Sequence, residues 1–133
     1  MKVLDTTILV DVLRNVPAAV EKLRALEAEG PIATTEIVAY ELHHGIQHVG
    51  RRRRDAEAGR IEELLAQADV LPFDRRSAIR AAEISGELRR RGQTVGIMDL
   101  LIAAGALALG AEALVTRDAS GFRHVGGLRV ETY

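Results

Sequence analysis

Short apolar runs, each ending in a turn and each separated from the next by helical periodicity, constrain this chain more than any other feature. The first is Val3-Leu4, which runs into Asp5-Thr6-Thr7, after which Ile8, Leu9, Val12 and Leu13 recur at helical spacing. The pattern predicts a buried strand, a tight strand-to-helix turn, and a helix capped by Thr6 or Thr7. Further strands are expected at Pro31-Ile32-Ala33, Val70-Leu71-Pro72-Phe73, Leu114-Val115-Thr116 and Leu128-Arg129-Val130, with Pro72 placing its strand at an edge or strand end. Between them, Pro17 fits the first turn of a helix striped with Val20, Leu23 and Leu26. Thr34 or Thr35 caps a third helix carrying Ile37, Val38, Leu42 and Ile46. A break follows at Gly50 and the loop-like run Arg51-Arg52-Arg53-Arg54, then a helix with Ile61, Leu64, Leu65 and Ala68. Asp74 caps a long helix that closes at Arg89-Arg90-Arg91-Gly92, and an almost wholly apolar helix runs from Met98 to Leu109. Strands joined through helices need crossover connections, so the expected class is α/β with a mainly parallel sheet covered on both faces.

The 133 residues suit one domain spanning 1–133, and a 47% hydrophobic composition with 3% aromatics leaves Leu, Val, Ile and Ala to fill the core. A net charge of −1 supplies no global attraction to nucleic acid, so any such binding must come from a local patch. The cations are 16 Arg against Lys2 and Lys22; base composition of the genome accounts for that bias better than phosphate binding does. Without cysteine there is no disulfide frame, thiol nucleophile or Cys-ligated zinc. No signal-peptide pattern or membrane-spanning apolar run occurs, and the expectation is a soluble cytoplasmic protein with no membrane partner.

Four acids can carry chemistry. Asp5 stands at the carboxyl end of a strand, where open α/β sheets bind ligands; an Asp that merely bonds the backbone of its own turn accounts for the stretch equally well. Glu41 follows Ile37 by four residues and Val38 by three, so it lies on the apolar face of its helix, where a carboxylate is costly unless paired or metal-bound. Asp99 is the only ionisable residue between Ile97 and Leu109, in a first turn where exposed amides also favour an acid for structural reasons. Asp118 follows a strand, in what alone would be an ordinary Asx turn. In a parallel sheet Asp5, Asp99 and Asp118 share the carboxyl edge. A helix begun at Thr35 places Glu41 roughly 9 Å along its axis, so that helix must cross the edge obliquely. Four carboxylates in one crevice cannot all stay ionised without cations. An all-oxygen donor set suits Mg²⁺ or Mn²⁺, and the chemistry that follows is metal-assisted phosphodiester hydrolysis.

At these residues the chain resembles a known family. Leu4-Asp5-Thr6, Glu41-Leu42 followed by Gly45, Asp99-Leu100-Leu101-Ile102-Ala103-Ala104, and Thr116-Arg117-Asp118 before Phe122 are similar to the motifs of PIN-domain nucleases. Size and spacing are similar to the VapC-type toxins of bacterial and archaeal toxin–antitoxin pairs. The resemblance implies a three-layer α/β/α sandwich and a Mg²⁺ or Mn²⁺ site at Asp5, Glu41, Asp99 and Asp118. It further implies endoribonuclease activity on an RNA substrate, homodimers, and a small inhibitory antitoxin. Thr116 matches a small polar residue of the last motif and, with Thr6 of the first, is expected to support the site.

Other features weigh less. His44 and His48 are spaced as metal ligands on one helix face, but Gly45 stands where zinc proteases carry Glu, so two cations near a helix C-terminus is the better reading. Arg51, Arg52, Arg53 and Arg54 are candidates for RNA contact, against the commoner reading of solvated charges. A dehalogenase-type phosphatase needs Asp where Thr7 stands, a receiver domain needs a late Lys that is absent, and no glycine-rich phosphate loop occurs. The alternative function is a non-catalytic RNA- or protein-binding module on the same fold.

Overall fold

The computed structural model describes all 133 residues. Five strands, β1 (Lys2–Leu4), β2 (Ile32–Thr35), β3 (Asp69–Leu71), β4 (Ala113–Val115) and β5 (Val130–Glu131), form one sheet in the order β3-β2-β1-β4-β5. Every neighbouring pair is parallel. Six helices flank it: α1 (Thr6–Leu13), α2 (Pro17–Glu29), α3 (Glu36–Gly45), α4 (Arg51–Leu65), α5 (Arg75–Arg90) and α6 (Ile97–Ala108). The result is the three-layer α/β/α sandwich expected of strands joined through helices.

The sheet's centre is dry because its strands have an apolar residue for both faces. Val3 and Leu4 of β1 and all of β2 and β4 are buried. On α6, Ile102, Ala103, Ala104 and Ala106 are buried without remainder, and Gly105 comes so near the sheet that a Cβ there would stand 3.8 Å from the Thr35 methyl. Small residues therefore set how closely this helix approaches the strands. β3 is an edge strand, and Pro72 lies just beyond its end, where no ladder amide is needed.

Several local expectations are corrected. Neither Thr6 nor Thr7 caps α1: Asp5 occupies the N-cap position in extended geometry, and no side chain caps the helix. Both threonine hydroxyls are bonded elsewhere, as described below. Of the two candidates before α3, Thr35 is the cap, accepting from the Val38 amide at 3.2 Å, whereas Thr34 stays in β2 and donates to the Leu4 carbonyl. Pro31 precedes β2, which instead runs on through Thr35, and the last strand is Val130–Glu131 without Leu128. The arginine run is no loop. Arg51–Arg54 form the first turn of α4, beginning where the Arg54 amide meets the Gly50 carbonyl at 2.8 Å. Four cations at a helix N-terminus oppose the macrodipole. However, Arg is a good helix former, and Ile61, Leu64 and Leu65 bury the far end of the same helix, so packing overrides the local charge.

Candidate active site

From β1 the chain builds outward through β2 and β3 on one side, and only later adds β4 and β5 on the other. Connections that diverge from β1 and β4 leave a crevice at the carboxyl edge between them. Asp5 is the first residue beyond β1, buried, with its amide donating to the Val115 carbonyl at 2.9 Å. Thr116 is the first beyond β4, also buried, and its hydroxyl donates to Asp5 Oδ2 at 2.7 Å. Thr7 Oγ1 lies 3.1 Å from the same carboxylate oxygen and 3.0 Å from Thr116 Oγ1, and it accepts the Arg117 amide proton at 3.0 Å. Asp5 Oδ2 is thus tied to both strand ends, whereas Oδ1 accepts no hydrogen bond.

Glu41 reaches the same edge because α3 packs on α1. The Thr6 hydroxyl, one residue past Asp5, donates to Glu41 Oε1 at 2.5 Å. The contact brings the Glu41 carboxylate beside Asp5 although Glu41 lies more than one turn along α3 from Thr35. Asp99 sits at the third position of α6, partly buried. Desolvation holds its carboxyl above the ordinary carboxylate range, and the negative charges of Asp5 and Glu41 push it further in the same direction. Three of the four acids therefore share one electrostatic environment.

Asp118 does not join them. It is exposed and caps the 3₁₀ turn Ala119–Gly121, accepting from both the Ser120 amide and the Ser120 hydroxyl at 2.9 Å. The Ser120 amide holds its carboxyl below the usual range, assisted by the hydroxyl and the charges of Arg123 and Arg117. The turn it starts nevertheless lies against the site: a Cβ on Gly121 would stand 2.4 Å from Asp99 Oδ2. Only a residue without a side chain fits between that turn and the Asp99 carboxylate. No three acidic or histidine side chains close on one point as a preformed cage. The donor set still fits Mg²⁺ or Mn²⁺, which take oxygen ligands, keep several waters and need only one or two carboxylates from the protein. A cation would relieve the repulsion that Asp5 and Glu41 exert on Asp99.

Beside Glu41 a cavity of about 520 Å³ opens between α1, α3 and α4, its walls including Val10, Leu13, Arg14, Ile46 and Arg53. Of the four-arginine run, only Arg53 lines it; Arg51, Arg52 and Arg54 do not. His48 lies beyond the end of α3, so it forms no helical pair with His44, whose ring stacks on Tyr40. Asp74 caps α5 through the Ser77 amide, as its position implied. Thr7, Asp11, Arg117 and Gly121 also surround the site, and the sequence signals them weakly. Thr7 and Asp11 share a helix face by their spacing, but Arg117 pairs with Asp11 from 106 residues away.

The PIN domain profile matches residues 2–128. The chain is 28% identical to ribonuclease VapC2 of Rickettsia felis, over 98% of this chain and 96% of that protein. Its fold superposes on VapBC2 from Rickettsia felis bound to a DNA fragment from its promoter, with TM-score 0.89, 26% identity and coverage of 99% and 98% of the two chains. It also superposes on VapBC-5 from Mycobacterium tuberculosis, a member of the VapBC family of toxin–antitoxin systems, with TM-score 0.70, 28% identity and coverage of 98% and 95%.

Proposed function

The chain belongs to the PIN-domain family, in its VapC type, and from that premise we propose that it is a Mg²⁺- or Mn²⁺-dependent endoribonuclease acting as the toxin of a toxin–antitoxin pair. The observation that carries this reading is the gathering of three acids at one sheet edge: Asp5 bonded to Thr116 beyond β4, Glu41 bonded to Thr6 beside Asp5, and the half-buried Asp99, whose carboxyl burial raises first and the charges of Asp5 and Glu41 raise further. Its support is the chain's similarity to a protein named as a ribonuclease. We read the chain as one nuclease domain that works in the cytoplasm as a homodimer; no helix is long and apolar enough to cross a membrane.

Asp5, Glu41 and Asp99 would hold the cation, joined by Asp118 once its carboxylate leaves Ser120. When bound, a divalent cation supplies Lewis acidity toward the phosphodiester and lowers the pKa of water. Everything else falls to the chain's own groups. Thr116 and Thr7 fix Asp5 Oδ2 and leave Oδ1 without a hydrogen bond. Thr6 orients Glu41. Arg53 and Arg14 stand on the cavity that leads to Glu41, where they can meet phosphate. The same cavity offers an inhibitory antitoxin segment a route to the acids, to which it would present an Arg as a guanidinium–carboxylate pair.

The test is incubation of the pure protein with structured and single-stranded RNAs, with Mg²⁺, with Mn²⁺ and with excess chelator. Cleavage that needs the cation supports the reading, and undiminished cleavage in chelator refutes the metal mechanism. Binding of RNA without cleavage under every condition would favour the non-catalytic module, the reading that Asp118's attachment to Ser120 would then explain.

A further inference from the structure

Asp11 is an acid in the second turn of α1 that the proposed chemistry does not use. It is 4% exposed, and both of its oxygens are engaged by residues distant in sequence. Oδ1 accepts from Arg117 Nη1 at 2.9 Å, and Oδ2 accepts from the Tyr133 hydroxyl at 2.7 Å. A buried carboxylate is costly, and one with two such partners is held in a single place. Thr7 lies four residues earlier on the same face of α1. Arg117 therefore grips that face at two points a helical turn apart, its guanidinium on Asp11 and its backbone N–H on Thr7 Oγ1.

The direction of the hydrogen bonds then follows from proton counting. The Arg117 amide can only donate, so Thr7 Oγ1 accepts it and retains its single proton to give away. That proton has two acceptors within reach, Thr116 Oγ1 at 3.0 Å and Asp5 Oδ2 at 3.1 Å. The Thr116 proton goes to Asp5 Oδ2 at 2.7 Å. Placement of Asp5 thus depends on where the Arg117 backbone lies, and Arg117 is anchored by Asp11.

We infer that Asp11 is a positioning residue for the acidic site: through Arg117 and the Thr7–Thr116 hydroxyl pair it sets the orientation of the Asp5 carboxylate, and hence affinity for the divalent cation. This inference rests on the metal-site reading above. Groups that orient metal-binding carboxylates are commonly worth 10–100-fold in affinity or activity.

The experiment is a double-mutant cycle of Asp11→Asn, Arg117→Gln and the pair, read by Mn²⁺ titration calorimetry on RNA-free protein and by thermal melting in chelator. The Arg117 side chain is 55% exposed, so Arg117→Gln removes the anchor while leaving the backbone N–H and little buried space to refill. Each single variant is expected to weaken Mn²⁺ binding on the order of 10-fold, and the double variant no more than either single, because they act through one chain. Asp74→Ala removes only the α5 cap, shares no hydrogen bond with Asp11, Thr7 or Asp5, and serves as the measure of a purely structural loss. It is expected to lower the melting temperature while keeping Mn²⁺ affinity within about twofold of the parent. Parental Mn²⁺ affinity in both Asp11→Asn and Arg117→Gln would overturn this inference alone. So would losses that add in the double variant, or that track melting temperature across all four variants. A parent that binds no Mn²⁺ would remove the proposed function, and this inference with it.

Discussion

Gly121→Ala places a methyl group against the Asp99 carboxylate. A Cβ on the Gly121 backbone would lie 2.4 Å from Asp99 Oδ2 and 3.4 Å from its Cγ. Carbon and oxygen rest at about 3.3–3.6 Å, so roughly 1 Å of displacement has to be found. Gly121 is not in the left-handed region, so alanine is not strained by its own backbone and the whole perturbation falls on the contact. The α6 helix that carries Asp99 is anchored by fully buried Ile102, Ala103 and Ala104. The carboxylate must therefore rotate, or the Ala119–Gly121 turn must lift. A forced rotamer costs about 0.5–1.5 kcal/mol, which lowers the melting temperature by only a few degrees in a domain of this size. Misplacing a reacting group by about 1 Å costs on the order of 100-fold in rate, equivalent to about 2.7 kcal/mol. The assay is cleavage of a fluorophore–quencher RNA at saturating Mg²⁺, with melts of both proteins in chelator. We expect cleavage to fall about 100-fold while melting falls by about 5 °C or less. Cleavage within twofold of the parent would show that the turn does not place Asp99, and the argument from this glycine would fail.

Three further perturbations separate charge from structure. Asp5→Asn removes one of three neighbouring negative charges, so the metal-free variant should melt above the metal-free parent. Mg²⁺ should stabilise the parent more, by about 2.7 kcal/mol at 100 times its dissociation constant, and cleavage should be lost; a variant less stable in chelator would mark Asp5 as only a turn residue. Asp99→Asn tests the pH dependence. A carboxyl whose folded pKa is raised favours the fold below its ordinary value of 3.8 and loses that contribution as pH rises through the folded value, so in chelator the variant's melting advantage should grow from acid toward neutral pH. An advantage that does not change with pH would place Asp99 outside the field of Asp5 and Glu41. Asp74→Ala removes the α5 cap to the Ser77 amide and should cost about 0.5–2 kcal/mol in thermal or denaturant unfolding while leaving cleavage intact; loss of cleavage in a folded variant would give Asp74 a second role.

The parallel sheet was legible because each strand is a run that must be buried on both faces and each connection has helical period, as in Val3-Leu4 followed by Ile8, Leu9 and Val12. Asp5 and Thr116 were legible as strand-end residues for the same local reason. The inward phase of Glu41, read against Ile37 and Val38, pointed to a helix leaning over the edge, and the Thr6 contact brings the Glu41 carboxylate beside Asp5. What stayed hidden depends on packing between distant segments. Burial of Ile61, Leu64 and Leu65 makes a helix of arginines whose charges argue for a loop. The hydroxyls of Thr6 and Thr7, suited to capping, are claimed by Glu41, Asp5 and Thr116 from other elements. Asp118 keeps the Asx turn that its own spacing offers, its carboxylate held by Ser120, and what stayed hidden is that this bond keeps it from the other three acids. Asp11 finds partners 106 and 122 residues along the chain.

The most direct test of the metal-site reading is to locate Mn²⁺ by its anomalous scattering in crystals of the protein grown or soaked with that ion. We predict one peak bounded by the carboxylates of Asp5, Glu41 and Asp99, within about 2.0–2.3 Å of their ligating oxygens, and absent from crystals of Asp5→Asn. Mn²⁺ bound only elsewhere, with these three carboxylates carrying no ion at saturating concentration, would contradict it.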